Sequence, residues 1–320
     1  MAITLAQAKV GMADKVDQMI IDEFRRGSML LDSLIFDNAV SPGTGGSTLG
    51  YTYIRLKTPS MAQFRALNTD YTPQEAVREP ATAMLKIFGG NFNLDRVIID
   101  TAGAVNELQF QMQEQIRGAI NLFHNTVING DSALRPLEFD GLDVMLTGSN
   151  TEYNTTTAID LSDDAAMSAN YDAFLDGMNE FVSELEDRPT MFLANSKLIT
   201  KIKNVARRAG YYERIEDAFG RSVDAWDGIP LVDMRYFWNG TTTVPCVPID
   251  TDGETSLFAV NIAIDGFHGV SPVGNNIIKT ALPDLTAPGV MKLGDVEAVM
   301  AVVLKNTRKA GVFRKIQVEA

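Results

Sequence analysis

One cysteine and two histidines among 320 residues leave little material for several kinds of chemistry. Cys246 cannot pair within its own chain, so an internal disulfide is excluded and the fold must rest on packing and hydrogen bonding. With His124 and His268 as the only histidines, zinc held by the usual Cys and His ligands is close to excluded. No apolar run reaches the roughly 18 residues of a membrane span. The opening AITLAQAKVGMADK has no basic start leading into an apolar stretch, so secretion is not indicated and the chain reads as cytosolic when made. Positive charge is also short, with 28 Lys and Arg against 41 Asp and Glu, a net charge of −13. A protein that grips DNA over a wide surface needs cations in excess to displace counterions from phosphate. Tight DNA binding is therefore disfavoured.

What is present suits a folded protein with a sizeable core, or two, since 45% of the residues are hydrophobic and 22% charged. The charge is unevenly spread. Residues 131–195 hold 14 Asp or Glu against Arg135 and Arg188. Residues 197–221 hold Lys197, Lys201, Lys203, Arg207, Arg208, Arg214 and Arg221 against Glu213, Glu216 and Asp217, and residues 305–315 add five more bases.

Along the chain, Leu5, Met12, Val16, Met19, Ile20 and Phe24 recur at helical spacing and predict an amphipathic helix from Leu5 to Arg26. SPGTGGSTLG, with four glycines in ten residues, marks a flexible stretch. GYTYIRLK alternates as a strand does, and ATAMLKIFGGNFNLDRVIID matches it after about 25 polar residues from Thr58 to Thr82. Two strands joined by an excursion too polar to form a core describe a projecting hairpin, with Gly89 and Gly90 suggesting a bend or bulge in the returning strand. Val105, Leu108, Met112, Ile116, Ile120, Phe123 and Val127 then predict a helix from Thr101 to Asn129, roughly 40 Å long, stopped at Asn129-Gly130. Further on come a helix through Phe174, Leu175, Met178, Phe181, Val182 and Leu185, a buried strand from Thr190 to Ala194, and a helix from Ser196 to Arg208 capped by Ser196 or Asn195. DGIPLVDM, SLFAVNIAI and a closing pair, VEAVMAVVLKNT and GVFRKIQV, return as strands linked at Arg308 to Gly311. The fold class is α+β.

Candidate chemistry is poor. His124 lies in the long helix with no Ser, Cys or second His beside it in sequence, the setting of a packing or capping residue, and His268 sits in the turn-rich DGFHGVSP, where it could be on the surface. SPGTGGSTLG lacks the GK[ST] ending and following helix of a phosphate loop. IDTDGETS opens like a calcium loop, but Asn261 stands where the bidentate Glu is needed, so a polar hairpin turn is the better reading. The pairs Asp163 with Asp164 and Glu184 with Glu186 fit a helix start and a solvated face. No catalytic residue, metal or cofactor is assigned.

The order of these elements resembles the major capsid proteins of tailed bacteriophages, whose fold is shared with encapsulin compartments and the floor of herpesvirus capsids. The resemblance rests on the hairpin at Gly50 to Val97, on DRVIIDTAGAVNELQFQMQEQIRGAINLFHNTVINGD followed by FDGLDVML, on RPTMFLANSKLITKIKNVARR followed by AWDGIPLVDM, and on EAVMAVVLKNTRKAGVFRKIQVE. It implies an N-terminal arm (1–45), an extended hairpin loop with its base (46–98), a peripheral domain with a spine helix (99–158), an axial α/β domain (159–265) and return strands of the peripheral domain (266–320). It further implies a non-enzymatic subunit that assembles into pentamers and hexamers of an icosahedral shell around double-stranded DNA, in a virion built in the host cytoplasm. The partners implied are many copies of itself, a portal and a separate scaffolding protein, with a decoration protein allowed and no membrane. A separate scaffolding protein, or none, is expected because the chain opens directly on the arm helix. No Lys-Asn cross-linking motif can be matched, and Lys57 and Lys86 are unsupported candidates for it.

Within that frame Phe64, Arg65, Tyr71, Arg78 and Glu79 read as an aromatic and charged contact of the hairpin with a neighbouring subunit. Asp176 and Glu180 on the acidic helix, facing Lys201, Arg207 and Arg208 of the next copy, read as head-to-tail ring contacts. An acidic shell would touch packaged DNA only weakly and non-specifically. Two other readings stay open, an encapsulin-like compartment holding a cargo enzyme, and a two-domain hydrolase with its site among the acids of 160–187, against which stands the lack of a nucleophile and base pair.

Overall fold

The computed structural model describes residues 28–40, 48–58, 60–97, 107–210, 213–216, 222–272, 277–281, 283–284, 286 and 288–319. The helix expected from Leu5 to Arg26, most of the glycine-rich stretch and the start of the spine helix lie outside them.

The spine helix runs Glu107–Asn129, about 34 Å at 1.5 Å per residue. Met112, Ile116, Ala119, Ile120, Phe123 and Val127 form its buried stripe, as their spacing dictates. Beneath it lies a five-stranded sheet built on the long strand Met291–Leu304, which pairs in an unbroken register with Lys86–Asp95, from Met291 opposite Asp95 to Met300 opposite Lys86. Gly89 and Gly90 are therefore not a bulge. A Cβ on Gly89 would fall 2.0 Å from the Val296 carbonyl oxygen, and one on Gly90 would fall 2.2 Å from Gln115 Oε1 of the spine helix, so both glycines permit close approach. Phe123 is held between Phe88 and Phe139, with ring centroids 6.2 and 6.1 Å away.

A second, seven-stranded sheet runs in the order Glu152–Asp160, Ala310–Gln317, Glu254–Val260, Met191–Ala194, Ile229–Asp233, Ser222–Trp226 and Glu213–Glu216. Its central strands are walls between two cores. Met191, Leu193, Phe258, Val260 and Val312 face the core under the spine helix, whereas Phe192, Ala194, Leu257, Ala259 and Phe313 face a core closed by the helices Asp164–Ser183 and Ser196–Ala209. Burial on both faces explains why MFLA and SLFAV read as continuous apolar runs without alternation. Asn195 Oδ1 accepts from Leu198 N at 2.8 Å to start one helix, and Asp163 Oδ1 accepts from Ala166 N at 2.7 Å to start the other.

The two closing strands go to different sheets, Met291–Leu304 to the first and Ala310–Gln317 to the second. Two expectations need correction. The hairpin's returning strand is Val77–Met84, paired with Gly50–Thr58, and the chain turns at the buried Leu85 before Lys86–Asp95 enters the main sheet. His268 is fully buried, because its turn-rich stretch forms the strand Phe267–Pro272 between Phe36–Ala39 and Met291–Leu304.

Candidate assembly surface

At the hairpin tip Phe64 is fully exposed, and Met61, Leu67 and Tyr71 are exposed with it. The tip is nevertheless structured. The Arg65 guanidinium stands 5.4 Å from the Tyr71 ring centroid and donates to the Thr69 carbonyl at 3.3 Å, Thr69 Oγ1 donates to the Ala66 carbonyl at 2.8 Å, and Asn68 turns the chain at φ 63°. Arg65 and Tyr71 thus come together, with Phe64 exposed beside Arg65 in the chain. Arg78 and Glu79 do not join them, for they lie on the strand Val77–Met84, where Glu79 pairs across the hairpin with Arg55 at 2.6 Å.

On the helix Asp164–Ser183, Asp172, Asp176 and Glu180 follow one another at four-residue steps, and Glu184 caps the series. All four are exposed and form one acidic stripe. Glu180 accepts the Tyr153 hydroxyl at 2.8 Å; burial first and then this carboxylate push Tyr153 up to about 12. The basic residues are partly engaged within the chain. Lys201 donates to the Ser162 carbonyl, Arg208 pairs with Asp164 and donates to Ser168 Oγ, and Lys203 pairs with Asp224 at 2.8 Å. Arg207 is exposed beside them, lining a cleft of about 520 Å³ with Lys201 and Arg208. Acidic and basic helices therefore meet first inside one subunit, a contact that charge counting along the chain could not foresee.

Three polar junctions, the first of them buried, were invisible in the sequence because their members lie far apart in it. His124 Nε2 stands 2.5 Å from Ser28 Oγ and Nδ1 3.2 Å from the Met234 carbonyl; burial, then Arg235, push its pKa down to about 4, so the ring is neutral and bridges three segments. Arg314 joins Asp143, Glu152 and Thr147. Tyr51 joins Asp37 at the hairpin root. Ser28 and His124 do stand as a hydroxyl beside an imidazole, but both are buried, the ring is a weak base, and its Nδ1 faces the Met234 carbonyl where a triad would place a carboxylate, so the pair is a packing junction. Cys246 is buried, and that burial pushes its thiol up to about 12, far from a reactive thiolate. The IDTDGETS stretch is the expected tight turn, with Asp250 Oδ1 accepting from Asp252 N and Glu254 N and Gly253 at φ 75°. Among the described residues no three His, Cys, Asp or Glu gather as a metal site, and no helix is long and apolar enough to cross a membrane.

No family model matches the sequence, and no curated protein does. Solved structures do resemble it. The holo encapsulin complex of Synechococcus elongatus PCC 7942 is similar at a TM-score of 0.62 and 14% identity, covering 90% of this chain and 87% of that one. The capsid of a native GTA particle is similar at 0.58 and 11%, covering 91% and 90%. The capsid of the myovirus phage XM1 is similar at 0.54 and 12%, covering 90% and 91%. Likeness at such identities concerns the fold.

Proposed function

We propose that this chain, which has the tailed-phage major capsid fold, is a shell-forming major capsid protein and not an enzyme. The observation that carries the reading is the hairpin. A structured tip bearing Phe64, Leu67 and Tyr71 finds no cover among the described residues of its own subunit, and an exposed apolar group of this kind marks a surface that another protein buries. In a shell that cover is a neighbouring copy, so Phe64, Arg65 and Tyr71 are subunit contacts, with Arg78 and the paired Glu79 on the arm that carries them. The acidic stripe through Asp176 and Glu180 faces the basic side of the next copy in a ring, where Lys201, Arg207 and Arg208 stand together around one cleft. Rings of five and six close an icosahedral shell around double-stranded DNA, held loosely by an acidic lining, with a portal and a separate scaffolding protein as further partners.

The encapsulin reading has its own support in the likeness at a TM-score of 0.62, and one experiment separates the two. Electron microscopy of the purified chain is expected to reveal closed shells. Particles from the native source are expected to absorb as nucleic acid at 260 nm. Shells filled with protein alone would favour the compartment, and a monomer that never assembles would overturn both.

A further inference from the structure

The hairpin strands Gly50–Thr58 and Val77–Met84 form a two-stranded sheet of their own, and among the described residues no backbone ladder joins them to either sheet of the body. Beyond the turn at the buried Leu85, where the Leu85 amide donates to the Leu49 carbonyl at 2.7 Å, the direction in which the hairpin projects is set by side chains at its root. One residue gathers them. The Tyr51 hydroxyl donates to Asp37 Oδ2 at 2.6 Å, and Asp37 belongs to the strand Phe36–Ala39 at the edge of the five-stranded sheet. Lys305, just past the end of the long strand, places Nζ 5.3 Å from the Tyr51 ring centroid and 4.0 Å from the Asp37 carboxylate. The buried His268 ring meets Tyr51 edge-on, with centroids 6.0 Å apart. Three segments of the body thus grip one tyrosine of the hairpin.

Tyr53 and Ala83 also pack on the body's core, but the root leaves open a cleft of about 650 Å³ that Tyr53 and Met84 line together with Pro136, Phe139 and Val144. The grip also persists across pH. Burial, and then Asp37, push the Tyr51 hydroxyl well above the ordinary tyrosine range, so it stays a donor. Burial works against the Asp37 carboxylate, but the Tyr51 hydroxyl, the Asn38 amide and Lys305 hold it below its ordinary value, so it stays an acceptor.

We propose that Tyr51, gripped by Asp37, Lys305 and His268, is the positioning residue that fixes the angle of the hairpin to the body and hence the angle at which each copy presents Phe64 to the next. The second half of this inference rests on the shell reading; the first half stands on the subunit alone. Its test uses the full chain with nitroxide labels on Gln74→Cys, in the hairpin loop, and Thr200→Cys, on the body, with the buried Cys246 left unlabelled. Pulsed electron–electron resonance on the free subunit reads the spread of the distance between them. Tyr51→Phe, which keeps the ring and removes the hydroxyl, is expected to widen that spread at least twofold while leaving the melting temperature nearly unchanged. Tyr53→Phe, the neighbouring control, is expected to leave it as it was.

An unchanged spread in Tyr51→Phe overturns the proposal, and so does equal widening in the control, which would signal general loosening. Should Tyr51→Phe not fold, Lys305→Met keeps the stem, removes the cation over the ring and decides by the same measure. Shells of mixed diameter from Tyr51→Phe, against one diameter from the parent, are expected under electron microscopy. Uniform shells from a subunit with a widened spread would overturn the assembly half. A parent chain that forms no shells would count against the shell reading, with the spin-label result still deciding the anchor.

Discussion

At the scale of single residues, the buried histidine in the spine helix couples folding to pH. His124 has a folded value near 4 because burial, then Arg235, disfavour its cation, against an ordinary 6.5. As pH falls through 6.5 the unfolded chain takes up a proton that the folded chain refuses until about 4, so the unfolded state binds more protons in that window and stability falls with pH there. The full contribution is present above the window, and about 3 kcal/mol is lost across it. Urea denaturation followed by circular dichroism on either side of the window is expected to reveal this loss, and His124→Gln is expected to remove most of it. A slope that survives the substitution would assign the proton to other groups. The carboxylates of Asp37 and Glu152, both held below their ordinary values, act at lower pH.

At the scale of elements, the spine helix is stable because its apolar stripe has a sheet to cover, and helices of this length owe most of their stability to such packing. Phe123 is the centre of that contact, nearly inaccessible and flanked by Phe88 and Phe139. Phe123→Ala removes the ring and leaves a cavity the neighbours cannot close. It is expected to cost about 3–5 kcal/mol in chemical denaturation. A loss below about 1 kcal/mol would mean that the helix and sheet can collapse onto each other. The hairpin is the opposite case, an element whose strands pair with each other and whose apolar residues at the tip stay in water.

At the scale of the whole molecule, charge separation matters more than net charge. Exposed ion pairs contribute little one by one, so the contacts of Arg208 with Asp164 and of Lys203 with Asp224 order the subunit more than they stabilise it. In the proposed ring the acidic stripe acts between molecules. Reversing it with Asp172→Lys and Asp176→Lys, two exposed positions, is expected to leave the melting temperature within a few degrees and to abolish closed rings under electron microscopy. Normal shells from that variant would remove the stripe from the assembly contacts. High salt is expected to weaken assembly in the unmodified chain as well, since screening shortens the reach of these charges.

The sequence by itself determined the longer elements and their order, though not strands such as Glu152–Asp160 and Phe267–Pro272. Helical spacing marked the spine helix, Ser196 or Asn195 marked a cap, and an uninterrupted apolar run marked a buried strand, because each of these signals is local and obeys the period of its own backbone. It also marked the tip residues Phe64, Arg65 and Tyr71, since a polar excursion with aromatics needs no tertiary knowledge to stand out. Only the tertiary structure decided which strands pair. Val77–Met84 and Lys86–Asp95 form one nearly continuous run, and the change of partner at Leu85 depends on what lies beside the chain there. The closing strands divide between two sheets for the same reason, and His268 is buried because strands from distant parts of the chain close over it. The grip of Asp37, Lys305 and His268 on Tyr51 is likewise a meeting of residues that local periodicity never relates.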